Sequence, residues 1–153
     1  NPIPGRFESL REEETSVDSV YDRTRDVYGR LAEVCLEIKT SARRNYESSI
    51  NLTKEGLGIE DTLKRAKYFK SAKEKMENGD NLVWFSNSLW KNLKIIFELS
   101  PYSDIEVNER QRDSILQYWE DSLPGLEQKF GNIEIQNTDE YLKSIEESRR
   151  IIF

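Results

Sequence analysis

The chain contains no histidine. That removes Ser-His-Asp triads, Cys-His pairs, His-metal sites, phosphorelay histidines and the Glu-x-x-His di-iron bundle in one step. A single cysteine, Cys35, rules out a disulfide within the chain and suits a reducing, intracellular, cytoplasmic setting. There is no Gly-rich phosphate loop: Gly56 and Gly58 in "EGLGIED" have no Walker lysine after them and no strand before them. There is also no long apolar run. The richest stretch, Asp80–Pro101, is broken by Ser86, Asn87, Ser88, Lys91, Asn92, Lys94 and Glu98, whereas a membrane span needs about 20 mainly apolar residues. No transmembrane segment is expected, and neither a fixed repeat nor a low-complexity tract is present. An initiator Met and a signal-peptide pattern are missing too, as in a processed form or an excised domain. Asn51-Leu52-Thr53 fits the glycosylation acceptor pattern, a short triplet common by chance.

What is present is charge and helical periodicity. Of 153 residues, 34% are charged against about 25% in an average domain, and the net charge is −6. Bulk attraction to nucleic acid or acidic lipid is therefore not expected. The apolar residues are clustered and periodic, so the chain reads as one folded domain.

"NPIPGRF" reads as part of an extended arm over residues 1–15, with a bundle over 16–153. From Ser16 a stripe of Val17, Val20, Tyr21, Thr24, Val27, Tyr28, Leu31, Val34, Cys35 and Ile38 recurs at steps of three and four. It continues through Ala42, Tyr46, Ser49, Ile50 and Thr53, which predicts a long first helix ending at Gly56 and Gly58. A second helix is expected over 60–78, with Ile59, Leu63, Ala66, Phe69 and Met76 facing inward and Gly79 as its C-terminal stop. Asp80 then caps a third helix that ends at Pro101. Ser103 to Glu106 matches a capping box for a fourth helix, carrying Val107, Ile115, Leu116, Tyr118 and Trp119. "LPGLEQKFGN" reads as a turn and "IEIQ" as an extended connector. Asn137 or Thr138 caps a last helix with Tyr141, Leu142, Ile145 and Ile152. The expected fold is all-α, an antiparallel bundle of about five helices.

Three features bear on function. Glu14, Asp18, Asp22, Asp26, Glu33 and Glu37 form an acidic rail on the first helix. It points away from the apolar stripe and is interleaved with Arg23, Arg25 and Arg30, the pattern of a solvated face. A smaller group, Glu106, Glu109 and Asp113, is interleaved with Arg110 and Arg112 and reads the same way. Residues 60–78 reverse the sign, with six bases against four acids, and Lys64, Lys67 and Lys75 line one side. Such a face suits phosphate or an acidic partner. Tyr21, Tyr28 and Cys35 lie on the core stripe and are expected to be buried.

The segment 80–101 spreads its apolar residues over an arc of about 200°, wider than a one-sided stripe, which predicts packing on two sides. Trp84 falls on its polar side with Ile95 three turns on, the pair expected to face a partner. Asn92 falls inside the apolar arc and needs hydrogen bonds if buried.

These features favour a non-catalytic adaptor or scaffold domain that binds another protein or a second copy of itself. Its contact residues would be Trp84, Ile95, Lys64, Lys67 and Lys75, with no metal or cofactor. One alternative is a phosphate-binding module for nucleic acid or phosphoinositide using the basic second helix. The other is a Mg²⁺-dependent all-helical phosphohydrolase, which needs acidic pairs facing inward.

Overall fold

The computed structural model describes residues 4–130 and 139–153, with side chains over 18–130 and 140–153. Within these residues the chain is all-helical and holds four helices: α1 (Pro4–Leu57), α2 (Thr62–Glu98), α3 (Glu109–Phe130) and α4 (Asp139–Ile152). No described helix is long and apolar enough to cross a membrane. The "IEIQ" connector and the Asn137 or Thr138 cap lie outside the described residues.

The helix count differs from the expected five because the second and third expected helices are one. Gly79 does not stop a helix; it sits buried inside α2. A Cβ there would stand 2.7 Å from the Tyr46 ring, so the glycine admits that ring. Asp80 is no cap either: its carboxylate accepts from the Tyr46 hydroxyl at 2.6 Å and from Arg149 at 2.5 and 2.8 Å. Tertiary contact thus overrides a glycine penalty of roughly 1 kcal/mol. The actual caps are other residues. Asp61 accepts from the Leu63 amide at 3.0 Å at the start of α2, and Asn108 accepts from Arg110 at 2.9 Å at the start of α3. Ser103 instead ties the α2–α3 connection, donating to the Glu98 carbonyl at 2.8 Å.

Two further boundaries move. α1 begins at Pro4 rather than near Ser16, because proline in the first turn gives up no helical hydrogen bond. α3 runs through Pro124 where a turn was expected. Buried Leu123 and an ion pair from Glu127 to Arg30 hold the helix beyond the proline.

The chain divides into two compact units, residues 1–34 with 89–129, and 35–88 with 130–153. In the second unit α1 and α2 touch along small residues. Ala42, Ser49 and Gly56 are buried at seven-residue spacing on α1, and Ala72, Gly79 and Ser86 on α2. A seven-residue period keeps one face against a neighbour over many turns. Gly56 meets Phe69, Ser49 donates to the Ala72 carbonyl at 2.6 Å, Tyr46 meets Gly79, and Ser86 donates to the Cys35 carbonyl at 2.7 Å. The residue numbers rise on one helix as they fall on the other along this contact. A cluster of Ala42, Tyr46, Ile50, Met76 and Ile145 brings in α4. Leu63 and Ala66 were expected inside, yet both are exposed, and Ala72 and Met76 carry the buried face of this part of α2.

In the first unit Val27, Leu31 and Val34 of α1, Leu89, Leu93 and Ile96 of α2, Leu99 just past its end, and Leu116, Trp119 and Leu123 of α3 are buried. Arg23 bonds Glu120 at 2.5 Å and Asp113 at 2.7 Å, and Arg30 pairs with Glu127. The arginines are seven residues apart, as are the three carboxylates. The result is a ladder that fixes the register of α3 against α1.

The glycines give a paired test. Gly79→Ala gains helix propensity but drives a Cβ into the Tyr46 ring, and is expected to lose roughly 1–3 kcal/mol in urea unfolding. Gly29 has nothing within 4 Å of its added Cβ. Gly29→Ala is expected to gain up to about 1 kcal/mol. Equal effects at the two sites would contradict the close α1–α2 approach.

Candidate functional site

The first unit carries an open groove that the sequence pattern assigned to the core. On α1, a rotation of about 100° per residue places Arg23 and Arg30 on one flank of the Val27–Leu31–Val34 stripe and Tyr21 and Tyr28 on the other. The arginine flank holds α3. The tyrosine flank is left partly open, with Tyr21 37% and Tyr28 39% exposed. This corrects their expected burial: the stripe is broader than its neighbours cover.

The same holds for α2. In the first unit its buried residues are Leu89, Leu93 and Ile96, continued by Leu99 just past the helix end, a single stripe at steps of three and four. Trp90 is 47% and Phe97 63% exposed, so this stretch is packed on one side rather than two. Asn92 is half-buried.

Two adjoining cavities share Tyr28 and Phe97. One, about 260 Å³, is lined by Tyr21, Thr24, Arg25, Tyr28, Phe97 and Ser100. The other, about 630 Å³, is lined by Tyr28, Trp90, Lys91, Leu93, Lys94 and Phe97. Together they form an aromatic trough whose charged residues are all cationic. Arg25 lies 5.7 Å over the Tyr21 ring and 3.6 Å from Asp22, while Tyr21 meets Tyr102 edge-on at 5.1 Å. Lys91 and Lys94 make no ion pair among the described residues.

A third cavity in the same unit, about 400 Å³, is lined by Val20, Arg23, Pro101, Glu109, Arg110, Arg112 and Asp113. Its charges are of both signs, and its Arg23 and Asp113 already bond each other.

The expected contact residues are dispersed. Trp84 is 71% and Ile95 46% exposed, but Trp84 belongs to the second unit and Ile95 to the first, and neither lines the aromatic trough. Lys64, Lys67 and Lys75 are exposed on the second unit and make no ion pair among the described residues. The trough is lined instead by Tyr21, Tyr28, Trp90 and Phe97, which the sequence pattern placed in the core. Their signal was available as two aromatic pairs, each seven residues apart, with lysines beside the second pair.

The acidic residues are largely committed or dispersed. Asp22 and Asp26 pair with Arg25 and Arg30 along α1, and Asp113 pairs with Arg23. Glu33 is exposed, and the Glu14 side chain lies outside those described. Among the described residues no group of three or more Cys, Asp or Glu gathers where it could hold a metal ion. Cys35 is fully buried, and burial pushes its thiol up to about 11, the environment of an inert thiol.

In the second unit Tyr46, Asp80 and Arg149 form the main polar network. The Arg149 bonds hold the Asp80 carboxyl below its ordinary range, against the opposing cost of burial. Burial first, then the Asp80 carboxylate, pushes the Tyr46 phenol up. Arg43 stacks over the Tyr141 ring at 4.5 Å and Lys73 over Phe153 at 4.9 Å, which fastens α4 at both ends. These contacts join α1 and α2 to the C-terminal helix α4.

The chain matches no family model, no curated protein and no solved structure.

The network has a pH signature. A carboxyl whose folded pKa is depressed stabilises the fold above its unfolded pKa, and that contribution is lost as pH falls through the folded value. Asp80→Asn is therefore expected to lose roughly 1–2 kcal/mol at neutral pH, a deficit that shrinks only as pH falls below the ordinary carboxyl range and through the depressed folded value, where the wild-type carboxyl is protonated too. Urea midpoints of both proteins across this range check it. A deficit that stays constant with pH would contradict a charged Asp80–Arg149 pair.

Proposed function

We propose that this chain is a non-catalytic helical interaction domain that binds another protein, and that the trough of the first unit is its contact surface. The observation that carries the reading is the set of four partly exposed aromatic residues, Tyr21, Tyr28, Trp90 and Phe97, which share adjoining cavities on two helices. Scattered apolar residues on a surface need no explanation, but a contiguous aromatic patch rimmed by charge is characteristic of interaction sites. Tyr and Trp are over-represented among residues that dominate binding energy, and Arg with them. The absence of histidine from the sequence supports the non-catalytic part, since the commonest general acid–base group is missing.

Trp84 and Ile95 are weaker candidates because neither lines the trough. The basic face of α2 supports a second reading, in which exposed Lys64, Lys67 and Lys75 bind a phosphate-bearing ligand. Both readings are addressed by cross-linking capture followed by rebinding of the purified captured protein. The wild-type chain is expected to bind it at one-to-one stoichiometry. The double variant Trp90→Ser/Phe97→Ser, with unchanged circular dichroism, is expected to weaken it by at least about tenfold, and Trp84→Ala by less than about threefold. A triple exchange of Lys64, Lys67 and Lys75 to Glu is expected to leave binding intact. Loss on the lysine exchange with retention by the trough variant would transfer the function to the basic face.

A further inference from the structure

The trough also defines what would lie in it. We infer that its occupant is an acidic amphipathic helix of a partner protein, with apolar residues repeating over two turns and carboxylates along its flanks. This inference rests on the reading of the trough as a protein-binding surface.

The spacing comes first. Tyr21 and Tyr28 are seven residues apart on α1, and Trp90 and Phe97 are seven apart on α2. Each pair therefore spans about 10 Å along its helix. Two facing rows with that repeat leave an open seam of the kind that receives side chains at i, i+3 or i+4, and i+7 of another helix. The first unit already packs this way on its other flank, where Arg23 and Arg30 meet Glu120 and Glu127 at the same seven-residue interval. A helix in the trough would extend that arrangement by one member.

The charge comes second. In a chain of net charge −6, every charged residue lining the two cavities is basic: Arg25, Lys91 and Lys94. Lys91 and Lys94 have no counter-ion among the described residues. Opposite charge on the occupant neutralises them, whereas a basic helix would add repulsion in a partly desolvated seam. A nucleic acid strand would also stack on these rings. It suits the trough less well, because a strand-binding groove tracks a run of phosphates with a continuous basic lining, whereas three cations line these two cavities. A second copy seated trough to trough is less favoured, because it would set Arg25, Lys91 and Lys94 against the same cations of the other copy.

The test uses fluorescein-labelled synthetic helices of about 20 residues, with Leu at i, i+3 and i+7 and Glu on both flanks, and a twin with Lys replacing Glu. Anisotropy is read with the full chain at up to about 1 mM. The acidic helix is expected to bind at least about tenfold more tightly than its twin. Lys91→Glu/Lys94→Glu is expected to invert that order, and Phe97→Ser to weaken the acidic helix by about tenfold or more. Phe97 is largely exposed, so the substitution leaves the core untouched, and circular dichroism checks folding. Equal binding of the twins, with both lost on Phe97→Ser, overturns the acidic occupant and leaves the trough reading standing. Binding unchanged by Phe97→Ser overturns both. Failure of both helices to bind overturns the inference. So does a chain dimer in sedimentation that Phe97→Ser abolishes, or steeply salt-dependent binding of oligothymidine in place of the helices.

Discussion

Close approach of α1 and α2 over small side chains is the constraint on which the second unit depends. Where Gly79 lies against Tyr46 there is no room for a Cβ, so α2 stays unbroken only because a glycine stands where a ring must pass. Once seated, the ring presents its hydroxyl to Asp80, and Asp80 in turn receives both guanidinium nitrogens of Arg149 on α4. The order of causes runs from a missing side chain to a placed ring, to an oriented carboxylate, to a docked helix. Ser49 and Ser86 reinforce it: each donates its buried hydroxyl to a backbone carbonyl of the facing helix, so the polar atoms that close approach buries are satisfied.

The first unit achieves its register by charge. Arg23 and Arg30 meet carboxylates from α3 at a seven-residue interval on one flank of α1. Partly exposed pairs of this kind contribute modestly to stability, about 1 kcal/mol or less each, but they favour one alignment over its neighbours. With α3 on that flank, the opposite flank of α1 and the facing side of α2 stay partly exposed among the described residues. The trough is the geometric remainder. Its aromatic floor and cationic rim are what connect the architecture to the proposed binding role.

Much of the fold was legible in the pattern of apolar residues. The steps of three and four through Val27, Leu31, Val34, Ile38 and Ala42 mark the buried face of α1 directly, because a helix exposes its sides in that order. Gly79 misled because local rules treat glycine as a stop, while here its value lies in what packs on it from a residue 33 positions earlier. Pro124 misled similarly: the helix is retained by buried Leu123 and by Glu127, whose partner Arg30 lies outside any local window. The site was legible only in part. Aromatic residues on an apolar stripe read as core, and periodicity alone does not say how many neighbours are available to cover a wide arc. The repeat of Tyr21 with Tyr28 and of Trp90 with Phe97 was the cue, and it acquires meaning only once α3 is known to occupy the other flank.

The three tryptophans offer the most direct test of the central claim, because they stand in different surroundings. Trp90 lines the trough, Trp84 is exposed on the other unit, and Trp119 is buried. Their indole N–H resonances can be followed by nuclear magnetic resonance while the acidic helical peptide is added to saturation. The account expects the Trp90 resonance to move with the peptide while those of Trp84 and Trp119 hold still. Movement of Trp84 with Trp90 unchanged would contradict it.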